Sequence, residues 1–482
     1  MGVLNTWRDT CYLLLVVSTF CICVLVHCLK LSHKTKKYFF SICGFTQVVI
    51  FCGVDTLHFV VMVCVGTAMA KSRTNPRLLF VYCLAHRVFF SSSGFFGLKR
   101  DENNLANALM LVTTVKMITV GYEAVATRES IKNRSKVETI KAKTNGHIRE
   151  NGEKHARKRE MLMMEEPIST LDILCYMTSF IGLFTGPLFR YRTYHDMLDT
   201  PNTRSYKTQL LAKFKIFIAV FVTFLIGNYV LDPNYLKEDA FYEASLGHRL
   251  LWIVPIIVVF QIKYSVIWVV MEMFYILVGL GAYPETSEPL PGHGPTKLEI
   301  GQLNMSEDTK FDFNTITNMH PVNVIMEKTF RGTFYSWNCC VQWWLAHFVY
   351  SSTLFPRQYR MLRGFSTMFI NALWHGVKPG YYVSFPAVPV IAVCEEICNR
   401  NIRDRLQSGW LKHLYELFHW ITFKLFCFSF LFSSFMLLQW DSILRLYKSL
   451  YFCGYIFPVV MAMLSFIIAK IIPHSGKTLK VA

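Results

Sequence analysis

The sequence is poor in charge. Only 17% of its 482 residues are Asp, Glu, Lys or Arg, against 53% hydrophobic, and long runs carry almost none. That balance excludes a soluble globule. Together with a positive mean hydropathy, it reads as a polytopic membrane protein built on apolar runs near the ~20-residue length of a bilayer crossing. Paired CxxC spacings are missing, so the fifteen cysteines, mostly inside apolar runs, indicate neither a zinc site nor a disulfide scaffold. They read as small buried hydrophobes. Acidic residues are outnumbered by basic ones, giving a formal net charge of +18. The Lys and Arg sit mainly between apolar runs, however, where topology and lipid headgroups account for them, and no nucleic-acid motif accompanies them. No internal repeat is visible, which argues against a transporter made of duplicated halves.

What is present begins with Cys11 to Leu29, long enough to span and followed by Lys30, His33, Lys34, Lys36 and Lys37. This is a first transmembrane helix rather than a cleavable signal, and the basic patch places the amino terminus on the lumenal side. Tyr38 to Ala70, interrupted at Gly53-Val54-Asp55, is either two short crossings or one crossing with a re-entrant piece. A basic loop at Lys71 to Arg77 and two apolar segments up to Val125 follow. Residues 127–166 are polar, basic and without aromatics from Arg128 to Glu160, and read as a solvated cytosolic linker, with contact to anionic headgroups as the disfavoured alternative. Further crossings are expected at Ile168 to Phe189, Phe214 to Leu231 and Leu250 to Tyr283, the last bent or doubled around Gln261-Ile262-Lys263. Pro284 to Pro321 is an irregular loop, in which Asn304-Met305-Ser306 fits a glycosylation sequon. The expected total is about ten to twelve crossings.

Two polar side chains stand out in greasy, aromatic sequence: Asn338 in Trp337-Asn338-Cys339-Cys340-Val341-Gln342-Trp343-Trp344, and His375 in Asn371-Ala372-Leu373-Trp374-His375-Gly376. Polar groups at membrane depth cost free energy unless partnered, so each is a candidate functional site. If Arg331 to Tyr350 is mostly helical, Arg331, Tyr335, Asn338, Gln342 and Ala346 share one stripe. Thr367, Asn371 and His375 are likewise spaced four apart, which would let Asn371 hold one imidazole nitrogen. Gly376, Pro379 and Gly380 then break the helix, and non-helical backbone at this depth needs a protein-lined or watered cavity. A structural role fits the same residues: a lone His or Asn bridges neighbouring helices, and Trp337, Trp343 and Trp374 can report interfacial depth alone.

Several blocks resemble the membrane-bound O-acyltransferase family: Tyr335-Ser336-Trp337-Asn338, Val341-Gln342-Trp343-Trp344-Leu345, and Trp374-His375-Gly376-Val377-Lys378-Pro379-Gly380-Tyr381-Tyr382. Gly186-Pro187-Leu188-Phe189-Arg190-Tyr191-Arg192-Thr193-Tyr194 resembles a segment of the lysophospholipid branch. With Glu238-Asp239-Ala240-Phe241-Tyr242 and Gly279-Leu280-Gly281-Ala282-Tyr283, the likeness is to the part of that branch acting on lysophosphatidylinositol. It covers the middle and carboxy-terminal part of the chain. The resemblance implies an all-α polytopic transmembrane helical bundle enclosing a reaction chamber in the endoplasmic reticulum membrane. Residues 1–126 would be amino-terminal spans, 167–472 the catalytic core and 473–482 a short polar tail. It further implies Asn338 and His375 as the catalytic pair, with Asn371, Gln342, Trp337 and Trp374 supporting them. Acyl-CoA would be the co-substrate, with a polyunsaturated chain as donor and a lysophospholipid as acceptor, and no cofactor or metal is called for.

The chemistry suits those residue types. A lysolipid hydroxyl is a very weak acid and needs a base as it attacks the thioester, a role for His375; burial disfavours the imidazolium and keeps the ring neutral. Asn338 would donate an N–H to the thioester oxygen as charge develops. A covalent route through Cys339, Cys340 or Ser384 competes, but no G-x-S-x-G elbow or Ser-His-Asp order supports it. Arg190, Tyr191, Tyr194, Arg331 and Tyr335 are suitable in type to hold an anionic polyol headgroup, though an interfacial anchor cluster has the same composition. Another lysophospholipid, a sterol or a protein as acceptor, and a non-enzymatic transporter, remain open alternatives.

Overall fold

The computed structural model describes residues 7–29, 31–72, 74–93, 104–143, 164–199, 206–297, 309–353, 355–406 and 409–471. The described residues are helical almost throughout, as expected. Strand among them is limited to β1 (Tyr283–Pro284) paired antiparallel with β2 (Phe311–Asp312). Two compact units are formed, one from Met1–Ile216 with Trp268–Asn318 and the other from Phe217–Ile267 with Met319–Ala482.

The first unit holds α1 (Trp7–Cys28), α2 (His33–Cys52), α3 (Thr56–Lys71), α4 (Pro76–Ser92), α5 (Asn104–Lys143), α6 (Thr170–Thr178) and α7 (Tyr191–Asp199). Their starts follow from local sequence. Ser32 caps α2 by accepting the Thr35 N–H, and Asn75 caps α4 by accepting from Arg77, with Pro76 in the first turn where its missing N–H costs nothing. Ser169 and Asp172 form a reciprocal capping box on α6.

Two expectations need correction here. The linker expected over 127–166 is helical up to Lys143, because α5 continues past the apolar stretch. The Arg128 guanidinium anchors it by donating to the carbonyls of Ala70 and Lys71 at the end of α3, each at 2.7 Å, satisfying acceptors that a helix end otherwise leaves open. Ile168 to Phe189 is not a crossing but the nine-residue α6 followed by irregular chain. That chain is buried, so its polar backbone needs partners from outside. Phe180 donates to the Phe40 carbonyl at 3.1 Å, and the Tyr176 and Tyr275 hydroxyls donate to the carbonyls of Phe189 and Thr185.

Two long helices follow, α8 (Lys207–Val230) and α9 (Leu246–Leu277). None of the apolar window of α8 is buried within the chain, which suits a helix facing lipid. α9 runs 32 residues with Pro255 inside it, about 48 Å long, and does not break at Gln261-Ile262-Lys263 as expected. Polar side chains do not interrupt a helix whose backbone groups satisfy one another. Eight helical stretches among the described residues are long and apolar enough to cross a membrane. One of these stretches, His33–Lys71, holds both α2 and α3. The sequon at Asn304 lies outside the described residues.

The second unit continues with α10 (Phe330–Ser336), α11 (Cys339–Trp344), α12 (Arg360–His375), α13 (Pro379–Ser384), α14 (Ala387–Cys398), α15 (Trp410–His419), α16 (Phe428–Leu437), α17 (Trp440–Ser449) and α18 (Cys453–Ile471). π-helical turns continue α11 over Leu345–Val349, α14 over Asn399–Arg403 and α15 over Trp420–Cys427. Its core is aromatic, centred on Phe330, Phe423, Phe428, Phe430 and Tyr447, with Phe430 and Tyr447 stacked at 4.2 Å.

Candidate active site

The backbone around Asn338 departs from the single stripe expected over Arg331 to Tyr350. α10 ends at Ser336, Asn338 takes φ 49° and ψ 49°, and α11 starts afresh at Cys339. A left-handed residue swings the chain out of register, so Arg331 and Tyr335 are exposed while Cys339 and Cys340 are buried. Asn is among the few residues with a Cβ that adopt this conformation at low cost, which was the one local signal of the break. Its side chain makes no capping hydrogen bond to α11, so the carboxamide is not consumed by the helix it starts. Gln342, one turn on, donates its side-chain N–H back to the Trp337 carbonyl and closes the corner.

Both segments flanking Asn338 are held. At the start of α10 the buried Glu395 carboxylate accepts the N–H groups of Phe330 at 2.6 Å and Arg331 at 3.0 Å, and Thr329 Oγ1 accepts from Gly332. Three donors that a helix start leaves open are thus satisfied, with an anion at its positive end. Beyond α11, the nearly buried Arg363 of α12 donates to the Tyr350 carbonyl at 2.6 Å and to Thr353 Oγ1 at 3.1 Å, its guanidinium 4.3 Å from the Tyr350 ring centroid. This clamp ties the helix carrying His375 to the segment carrying Asn338.

His375 is the last residue of α12, where Gly376 at φ 133° stops the helix, as its residue type indicated. The imidazole is ringed by aromatics: Phe385 stacks on it at 4.8 Å, with Trp374 at 4.7 Å, Tyr381 at 5.2 Å and Phe435 at 5.4 Å. Phe435 in turn meets Phe432 at 6.0 Å, and Phe432 meets Trp337 at 5.4 Å. One aromatic cluster therefore joins His375 to the residue before Asn338. Phe385, Phe432 and Phe435 also line a small apolar void with Phe334, Ser384, Val388 and Leu431.

Gly380 permits that arrangement. Its N–H donates to the Leu438 carbonyl at 3.1 Å, and a Cβ there would lie 2.1 Å from the Ser434 carbonyl oxygen. Gly380→Ala should therefore force α13 off α16, at a cost of about 1–3 kcal/mol typical of overpacking. A lowered unfolding midpoint of the purified protein in detergent checks it.

Thr367, Asn371 and His375 share one face of α12, as expected, and Asn371 Oδ1 is buried without a hydrogen-bond partner among the described residues. The competing nucleophiles are engaged: Ser384 Oγ donates to the Gly380 carbonyl at 2.8 Å, and Cys339 Sγ to that of Tyr335 at 3.2 Å.

Two of the residues expected to hold the headgroup have acidic partners within their own units. Arg331 is exposed and 3.8 Å from Glu396. Arg190, Tyr191 and Tyr194 belong to the first unit and are buried there. The Arg190 guanidinium is ion-paired to Glu123, which also accepts the Tyr191 N–H at 2.9 Å. These contacts hold the start of α7 against α5, and sequence reading did not find them because Glu123 lies 67 residues upstream. Arg190→Ala should cost about 3–5 kcal/mol by stranding a buried carboxylate, whereas Arg190→Met with Glu123→Gln should recover most of that loss. Thermal unfolding of the single and double variants is the measurement; a stable single variant defective only in acceptor affinity would restore the headgroup reading.

The chain is 27% identical over 434 residues to a membrane-bound acylglycerophosphatidylinositol O-acyltransferase of Bos taurus, covering 89% of this chain and 87% of that protein. The proteins of the same name from Homo sapiens and Drosophila melanogaster are 28% and 29% identical, covering 88% of this chain and 87% and 85% of theirs. A model of the membrane-bound O-acyltransferase family matches residues 105–439, well over half of the sequence, and takes in both Asn338 and His375: the chain belongs to the membrane-bound O-acyltransferase family.

Proposed function

We propose that this acyltransferase moves a fatty acyl group from acyl-CoA to the free hydroxyl of lysophosphatidylinositol, in the endoplasmic reticulum membrane. The observation that carries the reading is the junction of His375, at the end of α12, with the aromatic cluster that reaches Trp337 and the void beside it. Relatives of this length acting on acylglycerophosphatidylinositol favour the inositol lipid over other acceptors. In this scheme His375 takes the proton from the acceptor hydroxyl as its oxygen attacks the thioester carbonyl carbon. Asn338 donates an amide N–H to the carbonyl oxygen as it gains charge. The C–S bond then breaks, coenzyme A leaves as the thiolate and is protonated, and the new ester departs into the bilayer. The phenylalanines around the small void would have to part to admit the acyl segment next to the thioester, and exclusion of water there protects it from hydrolysis.

The test is acyl transfer by the purified protein with a panel of lysophospholipids and acyl-CoAs. Coenzyme A release is expected to require lysophosphatidylinositol and to be faster with a polyunsaturated donor than with a saturated one. Equal or faster turnover of lysophosphatidylcholine, a sterol or a peptide would sink the acceptor assignment, and no acceptor-dependent release at all would sink the enzymatic one.

A further inference from the structure

A second polar site lies in the same unit, away from the aromatic cluster. Lys328, Asn399, Arg403, Tyr415, Glu416 and His419 line one cleft, with Asn399 and Arg403 bounding a π-helical turn, a helix irregularity frequent at functional sites. Several of its polar atoms are not spent on the fold. Asn399 Oδ1 and Tyr415 Oη are buried without hydrogen-bond partners among the described residues. His419 is 4% exposed, and its Nε2 stands 3.5 Å from Glu395 Oε1, beyond ordinary hydrogen-bond length. Buried polar atoms left this way cost stability unless a ligand or water meets them.

The mixture of groups defines what would fit. Lys328 and Arg403 offer cationic donors, Arg403 using Nε on Glu416 at 3.2 Å, and a guanidinium and an ammonium together suit a phosphate. Glu416 and the Asn399 oxygen are acceptors, which a bare oxyanion cannot use but a ring of hydroxyls can. A cationic choline or ethanolamine group would meet the two positive side chains. The cleft also borders Thr329, which caps α10, and Asn338 lies just past the other end of that helix, about 10 Å of helix away.

We propose that this cleft binds the phosphorylated polyol headgroup of the acceptor, Lys328 and Arg403 on its phosphate and Asn399, Tyr415, Glu416 and His419 on its hydroxyls, which rests on the lysophosphatidylinositol reading above. The experiment uses the whole protein with glycerophosphoinositol, which carries the headgroup without a chain, and with inorganic phosphate and glycerophosphocholine as comparisons. Tyr415→Phe removes a hydroxyl that bonds nothing among the described residues, and Lys328→Gln alters an exposed side chain, so both should fold. Glycerophosphoinositol is expected to compete with lysophosphatidylinositol. Each variant should raise the KM for that lipid and the inhibition constant about tenfold, with the KM for acyl-CoA unchanged. Variants within about twofold of the parent, or inorganic phosphate competing as well as glycerophosphoinositol, overturn the assignment. If the parent acylates no lysophosphatidylinositol, the substrate reading fails. The cleft is then judged by thermal stabilisation with glycerophosphoinositol: stabilisation of the parent that is lost in Tyr415→Phe supports it, and none in the parent overturns it.

Discussion

His375→Ala is expected to reduce acyl transfer by at least about a hundredfold, the lower end of what a positioned general base contributes, while the protein remains inserted and folded. A hydroxyl oxygen in an apolar site has no water to take its proton, so without the imidazole the attack must build an unshielded oxonium. Because the ring packs on Phe385, Trp374, Tyr381 and Phe435, truncation also opens a gap. His375→Gln, polar and closer in volume, serves as the second variant and should lose as much activity with less effect on the unfolding midpoint. Near-normal turnover by purified His375→Ala would remove His375 as the base.

Asn338 carries the other large effect, and its backbone supplies a sharper experiment than alanine alone. Replacing it by alanine should lower turnover by about 10²–10³, the loss seen when one oxyanion donor is removed. Alanine also resists the left-handed conformation held here at φ 49°, so a loss could come from geometry. Asn338→Gly adopts that conformation freely and Asn338→Asp tolerates it, yet neither offers an amide N–H. All three variants should therefore be impaired to a similar degree, with turnover rather than acyl-CoA affinity affected. Recovery of activity in Asn338→Gly would show that the position is chosen for its backbone, and a mere rise in the KM for acyl-CoA would assign it to binding.

The two halves of the site were unequally legible. α12 was readable because its register, Thr367, Asn371 and His375, ends at residues that forbid continuation, Gly376 and then Pro379 and Gly380. The break at Asn338 was not, since every residue from Arg331 to Tyr350 is compatible with a helix and one left-handed residue leaves no trace in hydrophobic periodicity. α5 was underestimated for the converse reason: the polar stretch after Val125 has no apolar face, and its helix is held by Arg128 on the carbonyls of Ala70 and Lys71. The Arg190 contact with Glu123 was not legible because an arginine beside tyrosines looks the same whether it meets a lipid phosphate or a buried carboxylate.

By itself the sequence determined the membrane class and singled out two polar residues in apolar, aromatic surroundings, while its resemblance to a family implied the all-helical architecture. The first two follow from composition and from short-range rules, in which each residue is judged against neighbours within a turn or two. Tertiary structure alone decided that Phe435 and Phe432 bridge His375 to Trp337, that Glu395 caps the helix leading to Asn338, and that Glu123 claims Arg190. Each of those contacts joins residues far apart in the chain, and which partner a buried polar or aromatic group meets is settled by how helices pack, a choice that local spacing does not encode.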